Sequence, residues 1–127
     1  MKEEVRTDLA PLPLGPYSQA VKAGPFLFLS GQLGIDPTTG KLLEDFRGQV
    51  RQALKNVESI LVSCGYQKQD VVRVVVYLRD LSLFGEFNEV YTEFFKEVDV
   101  KPARTTVGVE QLPLNALVEI EVTAIKL

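Results

Sequence analysis

The chain has 127 residues, 46% of them hydrophobic, and a formal net charge of −3 at pH 7. This size and composition predict one soluble globular domain over residues 1–127. The acidic balance argues against general binding to nucleic acid or to an anionic membrane. No stretch approaches membrane-spanning length and no signal-peptide-like apolar run follows the first residues, so a cytoplasmic location is expected.

Two residue counts limit the chemistry. The chain has no histidine, which excludes Ser-His-Asp and Cys-His catalysis, His-ligated zinc and the usual proton shuttle of neutral pH. Cys64 is the only cysteine, so no internal disulfide and no paired-cysteine metal or redox site can form. Any reaction must therefore rely on carboxylates, Arg, Lys, Tyr, Ser, Thr and backbone groups.

The first part of the chain predicts an arm and two strands. Prolines and a glycine punctuate residues 7–16, which should form an extended arm. Residues 17–23 and 26–30 predict strands joined by a turn, and the second is apolar on both faces and therefore central. Ser30, Gly31 and Gln32 end that apolar run. They mark either a plain strand end with a bulge or a point where a ligand or another backbone comes close.

The next part predicts a helix and a strand. Residues 46–64 carry apolar side chains at helical spacing, and Gly65 should cap the helix at its C-terminal end. Cys64 falls on the apolar face, so it is interpreted as a core residue. Residues 70–79 alternate as a strand, with an aliphatic face that comprises Val72, Val74, Val76 and Leu78.

The last third predicts a second helix and two strands. An amphipathic helix should begin at Ser82, and its aromatic stripe is interpreted as core. Strands follow at residues 103–109 and 117–126, with a turn at 112–115 between them. The order β-β-α-β-α-β-β predicts an α+β fold with two helices on one face of the sheet. The opposite face is too apolar for open solvent, which is typical of a subunit interface that contains a ligand pocket.

Arg104 follows Pro102 at the start of a strand, where a planar guanidinium suits a carboxylate anion; an ion pair or a solvated charge is the alternative. The two C-terminal strands are expected to pair antiparallel. Arg104 and Thr106 would then share the helix-free face with Glu119 and Glu121. In that arrangement Arg104 and a glutamate are either structural partners, or one binds a substrate carboxylate while the other handles a proton or a water.

Six short motifs occur in order along the chain: GPYSQA at 15–20, SGQ at 30–32, FNEVY at 87–91, PART at 102–105, LP at 112–113 and VEIE at 118–121. Each motif is weak by itself. Together they resemble the Rid family, the RidA-type reactive intermediate (2-imine/2-enamine) deaminases, also called the YjgF type. The resemblance extends from about Ala10 to the C-terminus.

The resemblance implies a homotrimer with a chorismate-mutase-like fold, sites in the clefts between subunits, and no metal or organic cofactor. It implies that Arg104 grips the carboxylate of a 2-imino or 2-enamine acid, such as 2-aminoacrylate, and that Glu119 activates the attacking water. It also implies five further pocket residues: Tyr17, Ser30 and Asn88, which shape the pocket or hydrogen-bond the ligand, and Gly31 and Thr106, which act largely through backbone groups. The family often has cysteine or serine at the position of Thr106, so this β-branched side chain can narrow the pocket.

The expected activity is hydrolytic deamination of imines and enamines released by pyridoxal-phosphate enzymes, which gives 2-keto acids and ammonia. A protonated imine needs only an oriented water, so a chain without histidine can hydrolyse it. A non-catalytic trimer that binds a 2-keto acid as a sensor is the alternative. A ribonuclease, reported for some relatives, fits poorly because the chain lacks a basic footprint and the usual acid–base pair.

Overall fold

The computed structural model describes residues 1–127. The two α-helices are Phe46–Ser63 (α1) and Phe84–Phe94 (α2). The eight strands are Lys2–Val5 (β1), Ala20–Ala23 (β2), Phe26–Leu29 (β3), Ile35–Asp36 (β4), Lys41–Leu42 (β5), Val71–Leu78 (β6), Ala103–Gly108 (β7) and Val118–Ile125 (β8). Six strands form one sheet in the order β1-β2-β3-β8-β6-β7, and β4 pairs with β5 in a separate hairpin.

Both helices pack on one face of the six-stranded sheet, which confirms the predicted α+β class. Alternate residues of β6 and β8 are buried beneath them in a core cluster of 25 residues. The strand β1 and the hairpin β4–β5 are additions to the predicted order, since these segments are short and lack a clear alternation. Neither helix has the combination of length and apolar character needed to cross a bilayer.

The ends of α1 lie where the sequence indicates. Asp45 precedes the helix and its carboxylate accepts a hydrogen bond from the Gly48 N–H at 2.9 Å, which satisfies one free donor of the first turn. Gly65 follows with a φ of +84°, a left-handed conformation that favours glycine. Cys64 packs half-buried against the core, and burial raises the pKa of its thiol. The interpretation of Cys64 as a core residue is confirmed.

The N-terminal arm is held by one buried amide. Residues 17–19, predicted as part of a strand, lie outside β2, which begins at Ala20. The Gln19 side chain instead donates hydrogen bonds to the carbonyls of Thr7, Ala10 and Pro11, at 3.0, 3.2 and 2.8 Å. Its oxygen accepts the Thr7 N–H at 2.7 Å. Gln19 therefore supplies the hydrogen bonds that a strand partner would otherwise give to the arm.

A β-bulge changes the orientation of the first residues of β6. Val71 lies opposite Ala124 and Arg73 lies opposite Thr123, so Val72 is an extra residue on this strand. As a result Val71 is buried and Val72 is exposed, the reverse of the predicted alternation. From Val74 onward the predicted inward face is confirmed.

The pairing of β7 differs from the prediction. β7 lies parallel to β6, with Arg104 opposite Val74, and it does not pair with β8. The expectation of an antiparallel pair between the last two strands is therefore wrong. The chain β6-α2-β7 is a strand–helix–strand crossover, which brings the second strand back parallel to the first. β8 occupies the other side of β6, so β6 separates the strand of Arg104 from the strand of Glu119.

Candidate functional site

Four of the expected site residues line one open cleft of about 400 Å³ on the helix-free side of the sheet. They are Tyr17, Ser30, Gly31 and Glu119, and we call them the glutamate half-site. The cleft lies where the N-terminal arm, the end of β3 and the start of β8 meet. Pro113 and Glu121 also line it. Pro113 was not among the expected site residues, although it belongs to the LP motif.

Backbone pairing explains why Gly31 lies against Glu119. The Gln32 N–H donates to the Ile120 carbonyl at 2.8 Å, and the Ile120 N–H donates to the Gln32 carbonyl at 3.0 Å. This bridge brings the segment after β3 alongside β8. A Cβ atom on Gly31 would lie 2.5 Å from Oε2 of Glu119. The serine–glycine end of β3 is thus a place of close approach, and the carboxylate of Glu119 uses the space that a side chain would fill.

Gly31→Ala is expected to displace the Glu119 carboxylate. A displacement of about an ångström should lower the rate of a reaction that uses this carboxyl by about ten- to a hundredfold. Stability should change less than it would for a backbone clash, since the clashing atoms all belong to the side chain of Glu119. Steady-state kinetics and thermal unfolding of the variant check both expectations. If Gly31 acts through Glu119, adding Gly31→Ala to Glu119→Gln should reduce activity little further. Equal losses on adding Gly31→Ala to wild type and to Glu119→Gln would show that Gly31 does not act through Glu119.

Two hydroxyl groups flank the glutamate. The Tyr17 hydroxyl accepts a hydrogen bond from the Leu14 N–H at 3.0 Å, so its own proton is available to a ligand. The Ser30 hydroxyl donates to the Ser18 carbonyl at 2.6 Å, so its lone pairs are available to a ligand. The glutamate half-site therefore offers one donor and one acceptor beside a carboxylate.

Glu119 has the electrostatic environment of a proton-handling group. Burial raises the pKa of its carboxyl, and the negative charge of Glu121 raises it further. Glu121 is itself exposed and accepts a hydrogen bond from the Tyr77 hydroxyl at 2.8 Å. No lysine or arginine forms an ion pair with Glu119. A half-buried carboxyl with a raised pKa in a cleft is a candidate general acid or base.

Glu119→Gln is expected to increase the free energy of unfolding at neutral pH. Because folding raises the pKa of Glu119, the folded chain binds this proton more tightly than the unfolded chain does. The wild type therefore loses stability as pH rises from the ordinary glutamate pKa through the raised one. The excess free energy of unfolding of Glu119→Gln over wild type should be largest above the raised pKa and should shrink toward about pH 4. Urea unfolding across this range measures it.

The matched control for this substitution is Glu110→Gln, which removes one charge from an exposed position. It should show no comparable gain at neutral pH. A stability difference between Glu119→Gln and the wild type that stays constant as the pH falls would contradict a raised pKa at Glu119.

The remaining expected residues lie on the other face of the sheet. Asn88, Arg104 and Thr106 form what we call the arginine half-site. Arg104 and Thr106 lie opposite Val74 and Val76 in the parallel ladder, and so point to the helix side. The guanidinium carbon of Arg104 lies 4.7 Å from the ring centroid of Tyr91 on α2. Asn88 follows Phe84 by four residues and lies on the same face of α2 as that ring.

The expectation that Arg104 and Glu119 share the helix-free face is therefore wrong. Arg104 pairs in register with Val74, whose side chain is fully buried on the helix side, whereas Glu119 alternates with the buried Val118 and Ile120 and points the other way. No ion pair joins Arg104 to a glutamate of the same chain. The alternative in which the two residues are structural partners does not hold within one chain.

The arginine half-site has unused hydrogen-bonding capacity. Thr106 Oγ1 is buried and has no hydrogen-bond partner. Arg104 lacks a carboxylate partner, and β7 is an edge strand of the sheet. Buried polar groups normally find a partner, so the unpaired Thr106 hydroxyl, two residues along β7 from an unpaired guanidinium, leaves hydrogen-bonding capacity that a polar or anionic group could use.

A second groove, about 280 Å³ in volume, lies between α1 and α2. None of the expected site residues lines it. One charge of its wall is paired within the chain, since Arg47 contacts both Glu86 and Glu89. No three carboxylate or thiol side chains come together as a metal-binding group. The two half-sites thus remain the best candidates for chemistry.

Comparison with known proteins shows the family of the chain. A family model described as Endoribonuclease L-PSP matches residues 7–126. A RutC family protein of Aquifex aeolicus is 55% identical over 97% of this chain and 98% of its own length. The 2-iminobutanoate/2-iminopropanoate deaminase of Salmonella typhimurium is 39% identical over 99% of each chain. The crystal structure of E. coli TdcF with bound serine has a TM-score of 0.95 and 37% identity, over 98% of this chain and 99% of that one.

Proposed function

Because the chain belongs to the Rid (YjgF) family, we propose that it hydrolyses reactive 2-imino and 2-enamine acids, such as 2-aminoacrylate, to 2-keto acids and ammonia. One observation carries the proposal. The chain holds a guanidinium without a carboxylate partner and a carboxyl without a cationic partner, each in its own half-site. The first suits the carboxylate of the substrate and the second suits the water.

The active site in this proposal is composite and lies between copies of the chain in a homotrimer. Two features support the assembly. The arginine half-site borders the open edge strand β7, where a second chain can approach. The helix-free face beside the glutamate half-site exposes the rings of Phe26 and Phe28, which favours burial against another copy. Assembly would place the glutamate half-site of one chain beside the arginine half-site of the next.

An enamine such as 2-aminoacrylate first tautomerises to the 2-imino acid, as its nitrogen loses one proton and its methylene carbon gains one. In the proposed reaction, Arg104 then holds the carboxylate and so orients the imine carbon toward Glu119 of the neighbouring copy. The water oxygen bonds to the imine carbon while Glu119 takes one water proton, and the C=N π electrons move to nitrogen. Glu119 then returns this proton to the nitrogen. The C–N bond breaks as the new hydroxyl forms C=O, and its proton leaves with the ammonia. The Tyr17 and Ser30 hydroxyls are positioned to hydrogen-bond the ligand.

A coupled assay tests the proposal. A pyridoxal-phosphate dehydratase acting on serine releases 2-aminoacrylate, which also hydrolyses without a catalyst in water, and the added protein should speed its conversion to pyruvate and ammonia. Arg104→Ala and Glu119→Gln should remove the acceleration. An unchanged decay rate in the presence of wild-type protein, measured with several dehydratase products, would refute the enzymatic proposal.

A binding module is the second candidate. The serine bound to TdcF favours it because an amino acid carries a carboxylate, as a 2-keto acid does. In that case the clefts bind a 2-keto acid, Arg104→Ala abolishes binding, and neither wild type nor Glu119→Gln changes the imine decay rate. The description of the family model also names an endoribonuclease. The acidic charge and the absence of histidine argue against RNA cleavage by this chain.

A further inference from the structure

Three aromatic rings of α2 surround the guanidinium of Arg104. Its central carbon lies 4.7 Å from the ring centroid of Tyr91 and 5.5 Å from the centroids of both Phe84 and Phe87. All three distances fall within the range of cation–π interaction. We call Phe84, Phe87 and Tyr91 the aromatic cage. The aromatic stripe of α2 was expected to be core alone, yet one side of it faces a charge.

The aromatic cage is electrically neutral. Burial raises the pKa of the Tyr91 hydroxyl to about 12, although the positive charge of Arg104 acts in the opposite direction. Tyr91 is therefore protonated at neutral pH and forms no phenolate–guanidinium pair. Its hydroxyl is buried and has no hydrogen-bond partner. Arg104 thus sits among three rings and no negative charge.

We propose that the aromatic cage positions Arg104 and keeps it available for substrate, so that Phe84, Phe87 and Tyr91 are positioning residues for carboxylate recognition. A carboxylate partner would also hold the guanidinium, but it would occupy the N–H donors that the substrate needs. An aromatic face attracts the cation without accepting those in-plane donors. This inference rests on the proposed function, in which Arg104 binds the carboxylate of the substrate.

Phe84 separates this role from simple core packing. Phe87 is fully buried and Tyr91 nearly so, and their truncation would also disturb the core. The side chain of Phe84 is 41% exposed, so it contributes less to the core than they do. Its ring nevertheless lies as close to Arg104 as the ring of Phe87 does. A substitution at Phe84 therefore removes one wall of the aromatic cage with little effect on folding.

The test compares Phe84→Leu, Phe84→Tyr and a matched control, Phe94→Leu. Phe94 is on the same helix and its ring also contacts a cation, but that cation is Lys68, at 3.9 Å. Phe84→Leu is expected to raise the Kd for 2-oxobutanoate about fivefold, the equivalent of one exposed cation–π contact, and to raise KM in parallel with kcat nearly unchanged. Phe84→Tyr, which keeps a ring, should restore binding. Phe94→Leu should leave the Kd unaltered.

A fourth variant tests the need for neutrality. Phe84→Glu places a carboxylate beside Arg104, where it should compete with the ligand and weaken binding more than Phe84→Leu does. Equal Kd values for wild type and Phe84→Leu would overturn the proposal. So would a loss in Phe94→Leu as large as the loss in Phe84→Leu, or a Phe84→Glu protein that binds as well as wild type.

The two proposals fail separately because binding of 2-oxobutanoate requires no turnover. If wild type does not hydrolyse imines but Phe84→Leu binds 2-oxobutanoate more weakly than wild type does, the positioning role of the aromatic cage stands and the deaminase proposal is refuted. If the protein hydrolyses imines but wild type and Phe84→Leu have the same KM and Kd, the deaminase proposal stands and the positioning role of the aromatic cage is refuted. A wild-type protein that binds no 2-keto acid would refute the positioning role together with the carboxylate role of Arg104.

Discussion

Arg104→Ala and Glu119→Gln are each expected to lower kcat/KM for imine hydrolysis by about a hundredfold or more, since each removes a charged contact to the reacting species. Oligomers that contain both variants should nevertheless regain activity. The two residues lie on opposite faces of one chain, so in the proposed homotrimer each composite cleft would take them from different copies. Where the intact Arg104 of one variant meets the intact Glu119 of the other, a complete site forms.

The size of the recovery follows from symmetry. In a cyclic trimer made of two copies of one variant and one of the other, one of the three clefts is complete, so activity should reach about one third of wild type. Coexpression of the variants with different affinity tags, followed by purification on both tags, isolates such mixed oligomers. Doubly tagged oligomers of a single variant are the control and should stay inactive. If the mixed oligomers recover no activity, Arg104 and Glu119 do not act in a site shared between copies.

Gly34→Ala is expected to produce the largest loss of stability, about 3 kcal/mol in the free energy of unfolding, as for an overpacked core position. A Cβ atom on Gly34 would lie 2.5 Å from the carbonyl oxygen of Gln49 and would overlap its Cα. Both atoms belong to the backbone of α1, so no side-chain rotation can relieve the clash. Separation of α1 from residue 34 would be needed instead.

Separation at this point would disturb several contacts at once. The Gln49 side chain donates to the Leu43 carbonyl at 2.8 Å and accepts the Leu117 N–H at 2.9 Å, so it ties two loops to α1. Urea unfolding measures the loss. Gly85→Ala is the matched control, because its Cβ would meet no atom within 4 Å. That helical substitution should stabilise the protein slightly. A Gly34→Ala protein as stable as Gly85→Ala would contradict the proposed clash.

The parts of the fold that the sequence predicted correctly depend on local patterns. The bounds of α1 follow from an apolar repeat and from Gly65, which lie within one stretch of chain. The inward face of β8 follows from simple alternation. Both kinds of signal need no knowledge of which element packs against which.

The errors arose where a distant partner decides the outcome. The strand of Arg104 alternates whether its neighbour is β6 or β8, and only that neighbour determines which face is covered by a helix. The bulge at Val72 likewise depends on register with β8. In the candidate site, the strand pattern indicated Arg104, Glu119 and Glu121, and the motif resemblance then assigned roles to Arg104 and Glu119. It did not indicate the rings around Arg104, because an aromatic stripe in a helix has the same sequence pattern whether it packs against apolar side chains or against a cation.

The placement of Arg104 and Glu119 on opposite faces has a kinetic consequence. If both groups are needed for turnover, a newly synthesised chain is inactive until it meets other copies, and specific activity depends on protein concentration. On dilution below the assembly constant, the rate per chain falls although each chain remains folded. The cell's capacity to remove imines would then rise more steeply than the amount of protein it makes, so that a modest change in expression near this threshold acts as a switch.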